Sequence, residues 1–245
     1  MSDYILFSII TFFLSIIFSM GGAGAGIALV PIFNFLGLDF TMAKAVGLFA
    51  GASTTITSSV MNLKRKVIDF SFVIPIAIGM MSFAPVGAYA SMFIDENIVK
   101  FFFMLMLFYS ASMMLFGKKK SILKVDGKVV MFAIGSSVGF LAGVLGVGGG
   151  NILIPLLILL GFEPKKVAVS VSFVVPFSTL GSFFTYLNFV DIDYLLLACV
   201  AFSSIVGGYV GNYLMHFKLQ QSQIKKLMGV ILYLLAFKLL YQFIV

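Results

Sequence analysis

The chain has 245 residues, 61% of them hydrophobic and only 10% charged, with a formal net charge of +7; soluble domains carry roughly 25% charged residues. That composition excludes an ordinary globular enzyme and places the chain in a lipid bilayer. A single cysteine, Cys199, and a single histidine, His216, allow no internal disulfide and no zinc ligand set, so neither a metal nor any cofactor is expected.

Apolar runs of helical length recur from end to end, which fits membrane helices and not the weak alternation of a barrel. The first, about 4 to 20, follows Met1-Ser2-Asp3, which lacks the positive start of a secretory signal. No small-residue cleavage site closes it, so it is expected to remain as a helix. It ends in Gly21-Gly22-Ala23-Gly24-Ala25-Gly26, followed by Ile27-Ala28-Leu29-Val30-Pro31. Helices are then predicted at about 26 to 37, 41 to 63, 70 to 93 and 98 to 116. A second series is predicted at about 128 to 143, 150 to 161, 165 to 187, 194 to 215 and 223 to 244. Between its first two members stands Gly143-Val144-Leu145-Gly146-Val147-Gly148-Gly149-Gly150-Asn151, then Ile152-Leu153-Ile154-Pro155. A nucleotide loop is excluded there. Asn151 stands where the dinucleotide pattern needs its third glycine, no Gly-Lys-Ser/Thr follows, and no strand precedes.

The two glycine stretches are copies. An offset of 124 residues sets Pro31 on Pro155 and, without a gap, Gly22, Gly24 and Gly26 on Gly146, Gly148 and Gly150. The same offset pairs Gly37 with Gly161, Thr55 with Thr179, Asp69 with Asp193, Gly87 with Gly211, Tyr89 with Tyr213 and Tyr109 with Tyr233. Residues 1–245 therefore read as a single transmembrane domain built from internal repeats 1–120 and 125–245. The short limbs, about 18 Å of helix, cannot alone cross about 30 Å of hydrocarbon, so the glycine loops are expected inside the membrane.

Lysines fall in short loops, the signal of membrane orientation and not of nucleic-acid binding. Lys64-Arg65-Lys66 and the loop from Lys118-Lys119-Lys120 to Lys128 lie two crossings apart around acidic Asp95-Glu96, which makes the basic loops cytoplasmic. In the second half the pattern inverts, with Asp191 and Asp193 opposite Lys165, Lys166, Lys218, Lys225 and Lys226. Each half then has an odd number of crossings, the halves are antiparallel and both termini lie outside, provided each first helix and short limb dip in and return.

The fold class expected is thus an all-α integral membrane protein, a polytopic helix bundle of two inverted-topology repeats with about eight long helices and two Gly-broken short limbs. Inverted repeats with broken helices are transporter architecture, with substrate near the midplane. Helix N-termini near Gly26 and Gly150 would offer free N–H groups and positive dipole ends to an anion. On this reading Gly22, Gly24, Gly26, Gly146, Gly148, Gly149 and Gly150 line the site; the bland alternative is that they let helices pack closely. Asn151 either donates to a substrate oxygen or caps its limb, and its counterpart is Ile27. The hydroxyls of Thr54, Thr55, Ser178 and Thr179 fall at matched positions and either contact substrate or bond their own helix. Lys44, Asp69, Asp193 and His216 read as interfacial, by snorkelling or helix-end placement. Apart from Lys238, no Asp, Glu, Lys or Arg sits deep in an apolar run, so an obvious proton-relay carboxylate is missing. Pro176 should kink its helix and free a carbonyl.

The segment Gly143 to Gly150, then Pro155, Gly161 and a polar helix, resembles the repeat motif of the TauE/SafE sulfite exporter family across essentially the whole chain; the first copy, with Ala23 and Ala25, is weaker. The resemblance implies a permease for small sulfur-containing anions such as sulfite, thiosulfate or organosulfonates in a prokaryotic plasma membrane. The function expected is a secondary transporter working by alternating access, with an anion channel as the alternative and a membrane-embedded enzyme subunit less favoured for want of a buried nucleophile, acid pair or metal cluster. The expected partners are a small anionic substrate and the lipid bilayer; a homo-oligomer and a coupling ion, proton or sodium, are both compatible with the sequence.

Overall fold

The computed structural model describes residues 2–117, 127–217 and 221–244. The stretch Lys118-Lys119-Lys120, the expected repeat boundary between residues 120 and 125, and Lys218 lie outside the described residues. Helices follow in the expected order: α1 (Ser2–Met20), α2 (Gly26–Phe35), α3 (Phe40–Lys64), α4 (Phe70–Ala90), α5 (Glu96–Phe116), α6 (Lys128–Leu145), α7 (Gly150–Leu159), α8 (Pro164–Tyr186), α9 (Tyr194–Phe217) and α10 (Gln221–Ile244). The helix expected to reach residue 93 instead ends at Ala90 and closes in a 3₁₀ turn, Ser91–Phe93. Six described helices, α1, α4 with that turn, α5, α6, α8 and α9, are long and apolar enough to cross a membrane. The limbs α2 and α7 have 10 residues each.

Local chemistry sets the helix starts. Asp39 accepts from the N–H groups of Thr41 (2.8 Å) and Met42 (3.2 Å) to cap α3, Asp95 accepts from Asn97 N to cap α5, and Asp193 accepts from Leu195 and Leu196 to cap α9. Each satisfies donors that a helix leaves unpaired. Pro164, with no N–H to lose, opens α8.

Side-chain links between helix ends define two rims. On the first, Tyr4 donates to Asp193 (2.6 Å) where α1 and α9 begin, Ser91 and Tyr186 share a hydrogen bond (2.8 Å) after α4 and at the end of α8, and Phe101 meets Phe243. On the second, Lys166 pairs with Asp69 (2.8 Å) where α8 and α4 begin, and His216 lies 3.0 Å from Asn62 Oδ1 where α9 and α3 end. The Lys166 ammonium holds the Asp69 carboxyl below its ordinary range, and the Tyr4 hydroxyl does the same for Asp193. The limb α2 turns back toward the rim where α1 began, since Phe33 meets Phe7 edge-on at 5.0 Å and Phe35 lies under Lys238. The limb α7 ends beside Met114, Gly117 and Lys225, at the rim from which α6 starts.

Close packing of parallel helices joins the halves. A Cβ on Gly87 or Gly143 of one seam would collide with the backbone carbonyls of Phe140 and Ala84, so α4 and α6 touch backbone to backbone. The other seam, α1 against α9, is built alike: Gly211 meets the carbonyl of Ile16 as Gly87 meets that of Phe140. Both members of these contacts are 124 residues apart. Small residues give such approach in a bilayer, where no hydrophobic force drives helices together. The helices α3 and α8 run between the seams and bury Thr54, Thr55, Ser58, Ser172, Ser178 and Thr179.

Candidate substrate site

The two glycine loops meet at the centre of the bundle. A Cβ on Gly150 would lie 3.5 Å from Ala23 Cα, and one on Gly26 would lie 3.8 Å from the carbonyl oxygen of Val147. Residues 22–30 and 145–151 are buried. Gly24 and Gly26 rest on Gly51 and Gly47 of α3, within 2.9 and 2.8 Å of where a Cβ would stand. Gly22 abuts the backbone of Ala168 in α8. In the second loop Gly148 lies against Thr179 Cγ2, Gly149 against Met80, and Gly150 against Val175 of α8.

The loops differ in backbone as well as sequence. Gly146, Gly148 and Gly149 have φ of +70°, +76° and +68°, the left-handed region that favours glycine. The first loop has one such residue, Gly22 at +80°, and Ala25, the counterpart of Gly149, takes a right-handed conformation. Ala25, one of the alanines that weaken the first copy of the motif, thus corresponds to a different turn.

The N–H groups of this centre are only partly used. Val147 N bonds Ala142 O, and Gly150 N bonds Gly148 O, but among the described residues the N–H groups of Gly148, Gly149 and Asn151 find no backbone partner. In the first loop the same holds for Gly24, Ala25, Gly26 and Ile27. Asn151, only 1% exposed, has neither side-chain Nδ2 nor Oδ1 in a hydrogen bond. It therefore does not act as a side-chain cap; α7 has none. Its main-chain carbonyl, released by Pro155 four residues on, accepts from Ser110 Oγ at 3.3 Å. Buried groups left unpaired are uncommon and costly.

The four hydroxyls are spoken for. Thr55 Oγ1 donates to Gly51 O (2.7 Å), and Thr54 Oγ1 lies within reach of Ala50 O (2.8 Å) and Ser15 Oγ (3.1 Å), turned toward α1. Thr179 Oγ1 donates to Val175 O (2.9 Å). Ser178 Oγ reaches both Val175 O (2.9 Å) and Gly148 O (3.1 Å), so it ties the second loop to α8. Ser178 and Thr179 are thus at the second loop, Thr55 is one residue contact from the first, and Thr54 faces away. The carbonyl that Pro176 frees is that of Ser172, and Ser59 Oγ takes it at 2.6 Å.

Lys44 departs from expectation. It is only 2% exposed, with no snorkelling to the rim. Its stem covers Gly146, whose Cβ would lie 2.6 Å from Lys44 Cγ and Cδ, and its ammonium stands over the rings of Phe40 (5.1 Å) and Tyr186 (4.7 Å). Its place near the start of α3, which begins four residues earlier, made it read as interfacial, and no local sequence pattern distinguishes it from a snorkelling lysine.

Ten described α-helices around two buried glycine breaks define a polytopic helical membrane protein with an irregular backbone at its core, where such backbone is tolerated because protein surrounds it. The family model for "Sulfite exporter TauE/SafE" matches residues 7–239. The chain belongs to this family of membrane transporters. It is similar to the probable membrane transporter protein YunE of Bacillus subtilis, with 27% identity over 253 residues, covering 91% of this chain and 92% of that one. It is also similar to the probable membrane transporter protein MJ0441 of Methanocaldococcus jannaschii, with 32% identity over 195 residues, covering 75% and 72%. No solved structure matches the chain significantly.

Proposed function

We propose that the protein is a secondary transporter for a small anion, sulfur-containing by the family's description, which binds at the second glycine loop and is exposed to each side of the membrane in turn. Asn151 carries this reading: a buried amide with both ends unpartnered stands at the start of α7, beside the unpaired N–H groups of Gly148 and Gly149. N–H donors and the positive end of a helix favour an oxyanion. The helix contacts that recur at the 124-residue offset support an inverted duplication of residues 1–120 and 125–245. Lys64, Arg65, Lys165 and Lys166 near one rim support placing that rim in the cytoplasm and both termini outside.

The test is uptake of labelled sulfite and thiosulfate into proteoliposomes, with sulfate, organosulfonates and chloride as competitors. Saturable flux with countertransport is expected, and Gly148→Leu, whose side chain has no room beside Thr179, should abolish it in a protein that still folds. Non-saturable flux without exchange would make the protein a channel. Normal flux in a folded Gly148→Leu would remove the loop from the substrate path.

A further inference from the structure

We propose that Lys44 supplies the positive charge of the substrate path, beside the second glycine loop, and sets the preference for doubly over singly charged anions. This rests on the transport reading above but concerns a residue that reading does not use.

A buried cation needs a physical account, because removing an ammonium from water is expensive unless it is compensated. Among the described residues Lys44 forms no ion pair with a carboxylate. Its neighbours at that rim are committed elsewhere: Asp39 caps α3 and Glu96 pairs with Lys100. What holds the ammonium is the pair of rings, Phe40 and Tyr186. Rings attract a cation without neutralising it, so the charge stays available to an anion. The Tyr186 ring is fixed in turn, because its hydroxyl donates to Gly143 O at 2.9 Å and shares a hydrogen bond with Ser91.

Position adds the second argument. Lys44 packs on Gly146, the first residue of the left-handed run, and Asn151 follows Gly150 at its other end. The two polar side chains that bracket this loop have apolar counterparts at the first loop, Ala168 for Lys44 and Ile27 for Asn151.

The experiment compares the parent with Lys44→Met and Lys44→Arg in proteoliposomes, reading half-saturation for thiosulfate, a dianion, and methanesulfonate, a monoanion. Methionine keeps the stem over Gly146 and removes only charge. Lys44→Met should raise the thiosulfate value about tenfold or more, the loss of one charge-assisted contact, and the methanesulfonate value by less; Lys44→Arg should hold the parent's ratio between the two. Folding is checked by monodispersity and melting temperature, and where Lys44→Met does not fold, Lys44→Gln against Lys44→Arg makes the same comparison. A folded neutral variant with both parental values overturns the proposal. If it does so while Asn151→Leu loses flux, the loop reading stands and only the role of Lys44 falls. If the parent moves sulfite but neither of these anions, the preference assigned to Lys44 falls and the transport reading stands; if it moves none of the three, both fall.

Discussion

Replacing Asn151 by leucine should stabilise the protein while it destroys transport. The side chain is buried and neither Nδ2 nor Oδ1 is paired; a buried polar group without a partner costs roughly 1–3 kcal/mol. Leucine is of similar size, has nothing to satisfy and is the better helix former by a few tenths of a kcal/mol. A net gain of about 2 kcal/mol follows, or about 4–8 °C in melting temperature at roughly 2–4 °C per kcal/mol for a chain of this length. Thermal unfolding of parent and Asn151→Leu in detergent, in a buffer free of oxyanions, gives the first number. Adding substrate at about a hundred times its Kd should then stabilise the parent by roughly 2.7 kcal/mol and leave the variant unmoved. A fall in melting temperature for Asn151→Leu without substrate would mean that the amide is bonded within the fold, and the ligand argument would lose its footing.

Three further outcomes are expected. Gly143→Ala places a Cβ against the carbonyl of Ala84 and 2.8 Å from Ala88 N, groups that cannot rotate away, so it should lose about 1–3 kcal/mol by thermal unfolding. Ser59→Ala strips the carbonyl of Ser172 of its hydroxyl partner and should lose about 1 kcal/mol; in a Pro176→Ala background the returned N–H takes that carbonyl, so a double-mutant cycle should show a coupling of about 1 kcal/mol. Because Lys166 lowers the Asp69 pKa, the pair's contribution is fully present above the unfolded value of about 3.9 and is lost as pH falls through the lower folded value. Both side chains are more than 40% exposed, so Asp69→Asn should cost under about 1 kcal/mol at pH 7, less in high salt and progressively less as pH falls below the ordinary carboxylate range.

Much of this architecture was legible in the chain because glycine and proline leave marks that apolar composition cannot blur. The limbs start at Gly26 and Gly150 as read, and Gly37 and Gly161 both adopt positive φ, +98° and +92°. The meeting of the two loops was not legible, since no local pattern shows that Ala23 touches Gly150. Nor was the fate of the hydroxyls: Thr54 and Thr55 are adjacent on one helix, yet one turns to Ser15 and the other to Gly51, a choice made by packing across α3. The sequence named Arg65 and His216 only as loop and helix-end residues and gave no sign that they join Asn62, Ser172 and Asn212 in one polar cluster. Its members are spread over three helices, and only the rarity of Asn within apolar runs could have flagged them.

The two loops meet at one centre but do not offer it the same chemistry. At the first, Ala25 takes the place of a left-handed glycine, Ile27 that of the free amide and Ala168 that of the buried cation. Two equal anion sites at this separation would place like charges within a few ångströms of each other in a medium where their repulsion is only weakly screened. One polar loop and one apolar loop avoid that conflict. On the proposed reading the first loop, with Gly24 and Gly26 seated on Gly51 and Gly47, would serve as the close-packed surface against which the second loop moves. Bulk added there, as in Gly24→Val, meets the backbone of Gly51; in a variant that still folds by melting temperature it should slow turnover while leaving substrate affinity near the parent's, whereas loss of Asn151 removes the affinity itself. A rise in half-saturation with unchanged maximal flux in Gly24→Val would show that both loops hold the anion.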